Sequence, residues 1–275
     1  MSILKAIFYG IIQGLCEFLP ISSSGHLALA QNIFGFDNIE HMITFDVILH
    51  LGTLFAVGVV YYKDVLYLIA DFIGIVKKLF SGRIKEGLTD GEKFCVYIII
   101  ATIPLVAAAL ISDKIEALYT YSKLIGGLLI LNGFVLILSD KISQAKANRT
   151  IAELGVGRAF KIGLFQLFAV LPGISRSGST ITGGLLNGLE RKDAVKFSFI
   201  MSIPAILGAN VLKITHIFEN PIPSADIPAY IAGAITAAVA GFAAIKLLMY
   251  ITKNHSFLGF SIYCFALGVL ALIFG

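Results

Sequence analysis

"LPGISRSGST", residues 171–180, interrupts an apolar run with three serines, a threonine, two glycines and an arginine. "EFLPISSSGH", residues 17–26, has the same look and adds a glutamate and a histidine. A charge at the middle of a membrane costs about 3 kcal/mol on insertion scales. Arg176 and Glu17 therefore need partners, solvation or a ligand if these stretches lie in a bilayer.

The surrounding chain places them there. Of 275 residues 57% are hydrophobic and 14% charged, with a mean hydropathy of +0.90; soluble chains carry about a quarter charged residues. Several apolar runs reach the roughly 20 residues that cross a bilayer. This composition describes a polytopic protein of the inner-membrane type. The net charge of +4 reads as loop lysines facing the cytoplasm. No tract combines basic and aromatic residues as a nucleic-acid reader does, so no nucleic-acid partner is expected. Cys16, Cys95 and Cys264 are scattered, with no CxxC, and read as buried thiols. Gln13 and Glu17 break the first apolar run, which argues against a cleavable signal peptide.

Hydropathy gives six clean spans, at about 44–62, 94–112, 122–139, 195–217, 227–250 and 256–275. Two further apolar stretches, about 3–34 and 158–189, are broken in the middle by Pro, Ser and Gly. Charge sets the sides. Loop 63–93 holds Lys63, Lys77, Lys78, Arg83, Lys85 and Lys93; loop 140–161 holds Lys141, Lys146, Arg149, Arg158 and Lys161. Both read as cytoplasmic. Loop 113–121 then lies outside, as does 218–226 with Glu219 and Asp226, and the turn near Lys253 returns inside. The 158–189 stretch starts and ends inside, at Arg191, Lys192 and Lys196. The first broken stretch is followed by Asp37 and Glu40 and ends outside. Both read as re-entrant helical hairpins, entering from opposite faces.

The chain also repeats. "GIIQGLCEFLPISSSGH" (10–26) resembles "GLFQLFAVLPGISRSGS" (163–179): Gln13 aligns with Gln166, and "SSSG" with "SRSG", at one offset of 153. Each half, about 1–140 and 158–275, holds one hairpin and three spans. An odd number of crossings inverts the second copy. The expected fold is an all-α single transmembrane domain of six spans and two hairpins with inverted topology, its broken helices meeting near the midplane.

Pro20 and Pro172 break their helices, and the serines that follow can cap new helix starts. Helix N-termini bind anions, Gly25, Gly173 and Gly178 permit close backbone approach, and Arg176 offers a planar fork for phosphate oxygens. Two such half-helices suit a group with two phosphates. Ser22, Ser24, Gly25, Gly173, Ser175, Ser177 and Thr180 are the candidate substrate contacts. For Ser and Gly alone, the competing reading is helix packing in the membrane; for Glu17 and Arg176, it is a structural ion pair. Gln13 and Glu17 share one helix face. Glu17 can hold a divalent cation with Gln13 as a weak carbonyl ligand, or orient His26 or a water. Ser23 is a candidate nucleophile and His26 a candidate acid or base; a structural, hydrogen-bonded His26 competes. His50 and Asn132, Asn187 and Asn210 read as structural hydrogen-bonding residues, His41, His216, His255 and Asp46 as interfacial, and 71–93 as an amphipathic surface stretch.

These motifs resemble those of the undecaprenyl-pyrophosphate phosphatase family, the bacitracin-resistance membrane proteins. That family's (E/Q)xxxE appears as Gln13 to Glu17 and its PGxSRSxxT as Pro172 to Thr180, and the likeness runs over the whole chain. Gln13 is the neutral option at its position, which weakens a two-carboxylate metal site. The resemblance implies hydrolysis of the terminal phosphate of a polyprenyl pyrophosphate lipid, undecaprenyl pyrophosphate, to the monophosphate. It also implies a divalent cation (Mg2+ or Ca2+), a site open to the outer, periplasmic face, and Glu17, Ser23, His26, Ser175, Arg176 and Thr180 at that site. The expected attack is by Ser23, with His26 or Glu17 as base; attack by water or by His26 stays open. A transporter or flippase of an anionic polyprenyl lipid is the alternative that the architecture supports. Membrane proteins of this size often pair, so a homodimer is an expected partner state.

Overall fold

The computed structural model of the chain describes residues 1–34, 39–144, 148–213, 221–254 and 256–275. The sequence features at Asp37, Lys146, His216, Glu219 and His255 lie outside those residues, as do the side chains of Glu40 and His41. Among the described residues the structure is helical, and extended pairing is limited to an isolated bridge between Arg149 and Leu189.

Both broken stretches are broken in the structure. Helix α1 runs Ile3–Phe18 and α2 runs Ser23–Phe34. The residue before a proline is pushed out of the helical region, and Leu19, before Pro20, is extended at φ −67°, ψ 144°. The long apolar α3, Ile39–Val60, follows. The expected surface stretch, 71–93, is not one helix: it covers the end of α4, Tyr62–Phe80, which has no buried residue, a 3-10 turn at Arg83–Glu86, and the start of the next helix, where Glu92 is buried.

One expectation is corrected in detail. The span placed at 94–112 is not continuous: α5, Asp90–Thr102, stops before Pro104 and α6, Leu105–Ala109, resumes after it. Proline lacks the N–H that would bond back and its ring clashes with the preceding turn. Helix α7, Ser112–Ala117, leads to α8, Ser122–Gln144. The second broken stretch is α9, Val156–Phe168, and α10, Arg176–Leu186. Then come α11, Arg191–Leu212, α12, Ile227–Asn254, and α13, Leu258–Phe274.

Among the described residues five helical segments are long and apolar enough to cross a membrane: Met42–Val60, Asp90–Ala109, Ser122–Ile142, Arg191–Leu212 and Ser224–Lys253. The chain is a multi-pass helical membrane protein. The sixth expected span, α13, is an apolar helix of 17 residues, at the lower end of what spans. Cys16, Cys95 and Cys264 are free and buried.

Close backbone approach places the broken helices. α1 packs on α12 and α9 on α5. A Cβ on Gly10 would sit 2.6 Å from the Gly233 carbonyl of α12, and one on Gly163 would press on the Ala101 carbonyl of α5. The two glycines are 153 residues apart, so the same device docks both helices. Small residues at such contacts are the usual currency of packing in lipid.

Candidate active site

The two breaks are capped alike. Ser175 caps α10 through its hydroxyl, which accepts from Gly178 N at 3.1 Å. Ser22 does the same for Gly25 N at 3.2 Å. Each cap hydroxyl also pairs with the serine two residues on, Ser24 at 3.3 Å and Ser177 at 3.1 Å. Serine is a preferred cap because its oxygen satisfies an orphan helix N–H. Ser22 adopts φ +74°, unusual without glycine.

The breaks are then tied to each other. Ser22 Oγ also accepts from Gly173 N at 3.2 Å, and Ser177 Oγ donates to Leu19 O at 3.3 Å. Gly173 is at φ +105°, and a Cβ on Gly25 would meet its Cα at 2.9 Å. Asn132 of α8, fully buried, sits between them. It donates to Pro20 O at 2.9 Å and accepts from Ser175 N at 3.0 Å. One side chain thus satisfies a backbone group in each break.

This clasp brings the charged side chains together. Glu17 Oε1 accepts from Arg176 Nη2 at 2.8 Å, and the side chains are only 6% and 16% exposed. Glu17 Oε2 accepts from Ser23 Oγ at 2.6 Å and from Gln13 Nε2 at 3.2 Å. His50 of α3 is the member the sequence did not place: its Nε2 lies 4.0 Å from the same Oε2, with the side chain 32% exposed. Its Nδ1 bonds the Asp46 carbonyl at 2.7 Å. A carbonyl only accepts, so Nδ1 carries the hydrogen and Nε2 faces the carboxylate.

The other sequence candidates lie around this cluster. His26 turns to α13: its Nε2 accepts from the Tyr263 hydroxyl at 2.8 Å and its Nδ1 donates to Ser22 O at 2.7 Å. Its ring stacks on Tyr263 at an interplanar angle of 4°. Thr180 Oγ1 pairs with Ser198 Oγ at 2.6 Å and bonds back to Arg176 O at 2.8 Å, which holds the turn that carries Arg176. Gln13 presents its amide N–H to Glu17, while its carbonyl Oε1 is buried without a partner. Nothing in the two motifs points to His50, Tyr263 or Ser198, which sit on helices far off in sequence.

A buried carboxylate that receives a hydroxyl proton at one oxygen and a guanidinium at the other can activate that hydroxyl beside a cationic anchor. Such a set of groups suits nucleophilic attack on an anionic substrate within the membrane. The model of the bacitracin resistance protein BacA family matches residues 6–270, and the chain belongs to that family. It is 41% identical over 276 residues to the undecaprenyl-diphosphatase of Caldicellulosiruptor bescii, covering 100% of this chain and 98% of that one. It is 37% identical over 275 residues to that of Alkaliphilus metalliredigens, covering 100% and 99%, and 39% identical over 278 residues to that of Desulfosudis oleivorans, covering 100% and 99%.

Proposed function

We propose that the chain is an undecaprenyl-pyrophosphate phosphatase, releasing the terminal phosphate and leaving undecaprenyl phosphate. The observation that carries this reading is the meeting of Glu17, Ser23 and Arg176 from two separate helix breaks. Arg176 and the N-termini of α2 and α10 bind the pyrophosphate. Ser23 Oγ attacks the terminal phosphorus and its proton passes to Glu17. The bond to the bridging oxygen breaks, and undecaprenyl phosphate leaves. Water then attacks the phosphoserine; the Ser23 oxygen leaves and takes back the proton held by Glu17, and the water's protons depart on the released phosphate. In such transfers positioning and electrostatics supply most of the rate. Direct attack by water, or by His26 once it leaves Tyr263, are the variants of the same site.

The residues fit the divalent cation that the family implies. The Glu17 carboxylate nearly neutralises Arg176, so a multiply charged pyrophosphate arrives at a site short of positive charge. Mg2+ is commonly held by one or two carboxylates plus substrate phosphates. Glu17 would hold it, with the orphaned Gln13 carbonyl available once its amide turns; the ion would neutralise developing charge on the phosphate oxygens.

In this reading α13 is the sixth span, and α1–α2 and α9–α10 are re-entrant hairpins of an inverted repeat within one transmembrane domain of the inner membrane. The matched caps at Ser22 and Ser175 and the matched dockings at Gly10 and Gly163 support the repeat. The site opens to the outer face. The test is phosphate release from undecaprenyl pyrophosphate by the purified chain in detergent. Release should stop with chelator and return with Mg2+ or Ca2+; release indifferent to chelator would remove the cation from the account. A cysteine-accessibility map should find residue 275 outside, and finding it cytoplasmic would overturn the topology.

A further inference from the structure

A groove of about 470 Å3 runs along α12 and α13, lined by Ile21, Ile251, Ser256, Gly259, Phe260 and Tyr263. We propose that it holds the first isoprenoid units of the polyprenyl pyrophosphate, with Tyr263 at the junction of tail and head group. The proposal rests on the phosphatase reading for the identity of the tail.

The groove is continuous with the site at two points. Ile21 belongs to the short linker that carries Ser22 and leads into Ser23. Tyr263 lines the groove and also donates to His26 Nε2 at 2.8 Å. A chain lying in the groove therefore reaches the breaks along one wall. The lining is aliphatic and aromatic except for Ser256 and the Tyr263 hydroxyl. Its direction suits a lipid. From Tyr263 it runs toward Ile251 and Ser256, at the α12–α13 turn that Lys253 marks as cytoplasmic. A head group entering from the outer face leaves its tail pointing that way. Lipid is as apolar as the groove, so the groove aligns the head group and adds little affinity of its own.

Gly259 opens the groove. A Cβ built there meets nothing within 4 Å, so a side chain can start from this position without striking the backbone around it. The test compares Gly259→Leu and Gly259→Phe with the wild type on undecaprenyl pyrophosphate and on dimethylallyl pyrophosphate, whose five-carbon tail is too short to need the groove. Pocket discrimination of this kind runs at about 10- to 200-fold. The expected result is a graded loss of kcat/KM on the long lipid, at least about tenfold for the Phe variant, with the short substrate changed by less than about twofold. Equal losses on both substrates, or an unchanged long-chain rate in a monodisperse variant, would overturn the proposal.

A second readout needs neither variant nor turnover. A polyprenyl pyrophosphate analogue carrying a diazirine in its second isoprenoid unit should label peptides spanning 251–263. Labelling confined to other helices would overturn the proposal, including where the variants do not fold or the short substrate is not turned over. Wild type that fails to hydrolyse the long lipid would sink the phosphatase reading instead, and the photolabel would still report on the groove.

Discussion

Whether the Glu17–Arg176 pair is chemistry or only a clasp can be decided by a double-variant cycle. The pair is nearly buried, 2.8 Å apart, with side chains 6% and 16% exposed. Arg176→Met removes one charge and leaves Glu17 in an apolar setting. Stranding a buried charge costs about 3–5 kcal/mol, whereas replacing both partners of a buried pair is often neutral or stabilising. Ser23 and Gln13 still donate to Glu17 Oε2, which places the single variant toward the lower end, about 3 kcal/mol. Adding Glu17→Gln removes the stranded charge and should return most of that loss. Stability is read by unfolding in mixed detergent and SDS, and activity by phosphate release from undecaprenyl pyrophosphate. The double variant should be stable yet slower than wild type by at least roughly 10²–10³-fold, the scale of a lost electrostatic stabiliser. A double variant that regains both stability and activity would refute the reasoning and make the pair a clasp.

Asn132→Leu strands the Pro20 carbonyl and the Ser175 N–H, each worth about 1–3 kcal/mol when buried. It should lower activity by roughly 10²-fold through loss of registry between the breaks; turnover assays decide this. Gly25→Ala pushes a methyl to 2.9 Å from the Gly173 Cα. Overpacking of this kind costs about 1–3 kcal/mol, and the variant should lose activity while Ser24→Ala, one residue away, loses less. Thr89→Ala removes the capping box that starts α5. It should cost about 1 kcal/mol of stability and leave turnover at wild-type level, which unfolding and phosphate-release measurements together will show.

Much of this arrangement is written locally. Pro20 and Pro172 mark the breaks because proline constrains the residue before it, and the serines after them read as caps from composition alone. Glu17 and Arg176 are conspicuous because charge is costly in lipid. What the local signals omit is long-range partnership. Asn132 reads as one more polar residue between helices, and only the packing of α8 against both breaks gives it a neighbour in each. His50 reads as a buried, hydrogen-bonded histidine, and it does bond the Asp46 carbonyl; its approach to Glu17 depends on where α3 crosses α1. Tyr263 belongs to no motif, yet it takes the Nε2 of His26. The break at Pro104 was legible in principle, but unbroken hydropathy on either side masked it.

The most direct test of the central claim, that two helix breaks build one phosphoryl-transfer site, is phosphate release from undecaprenyl pyrophosphate by wild type, Arg176→Ala and Ser23→Ala side by side in detergent. The account predicts release by the wild type that is lost in both variants, because Arg176 anchors the pyrophosphate and Ser23 attacks it. Release that survives Ser23→Ala would move the attack to water or His26. Well-folded wild type that binds the lipid but releases no phosphate would contradict the account.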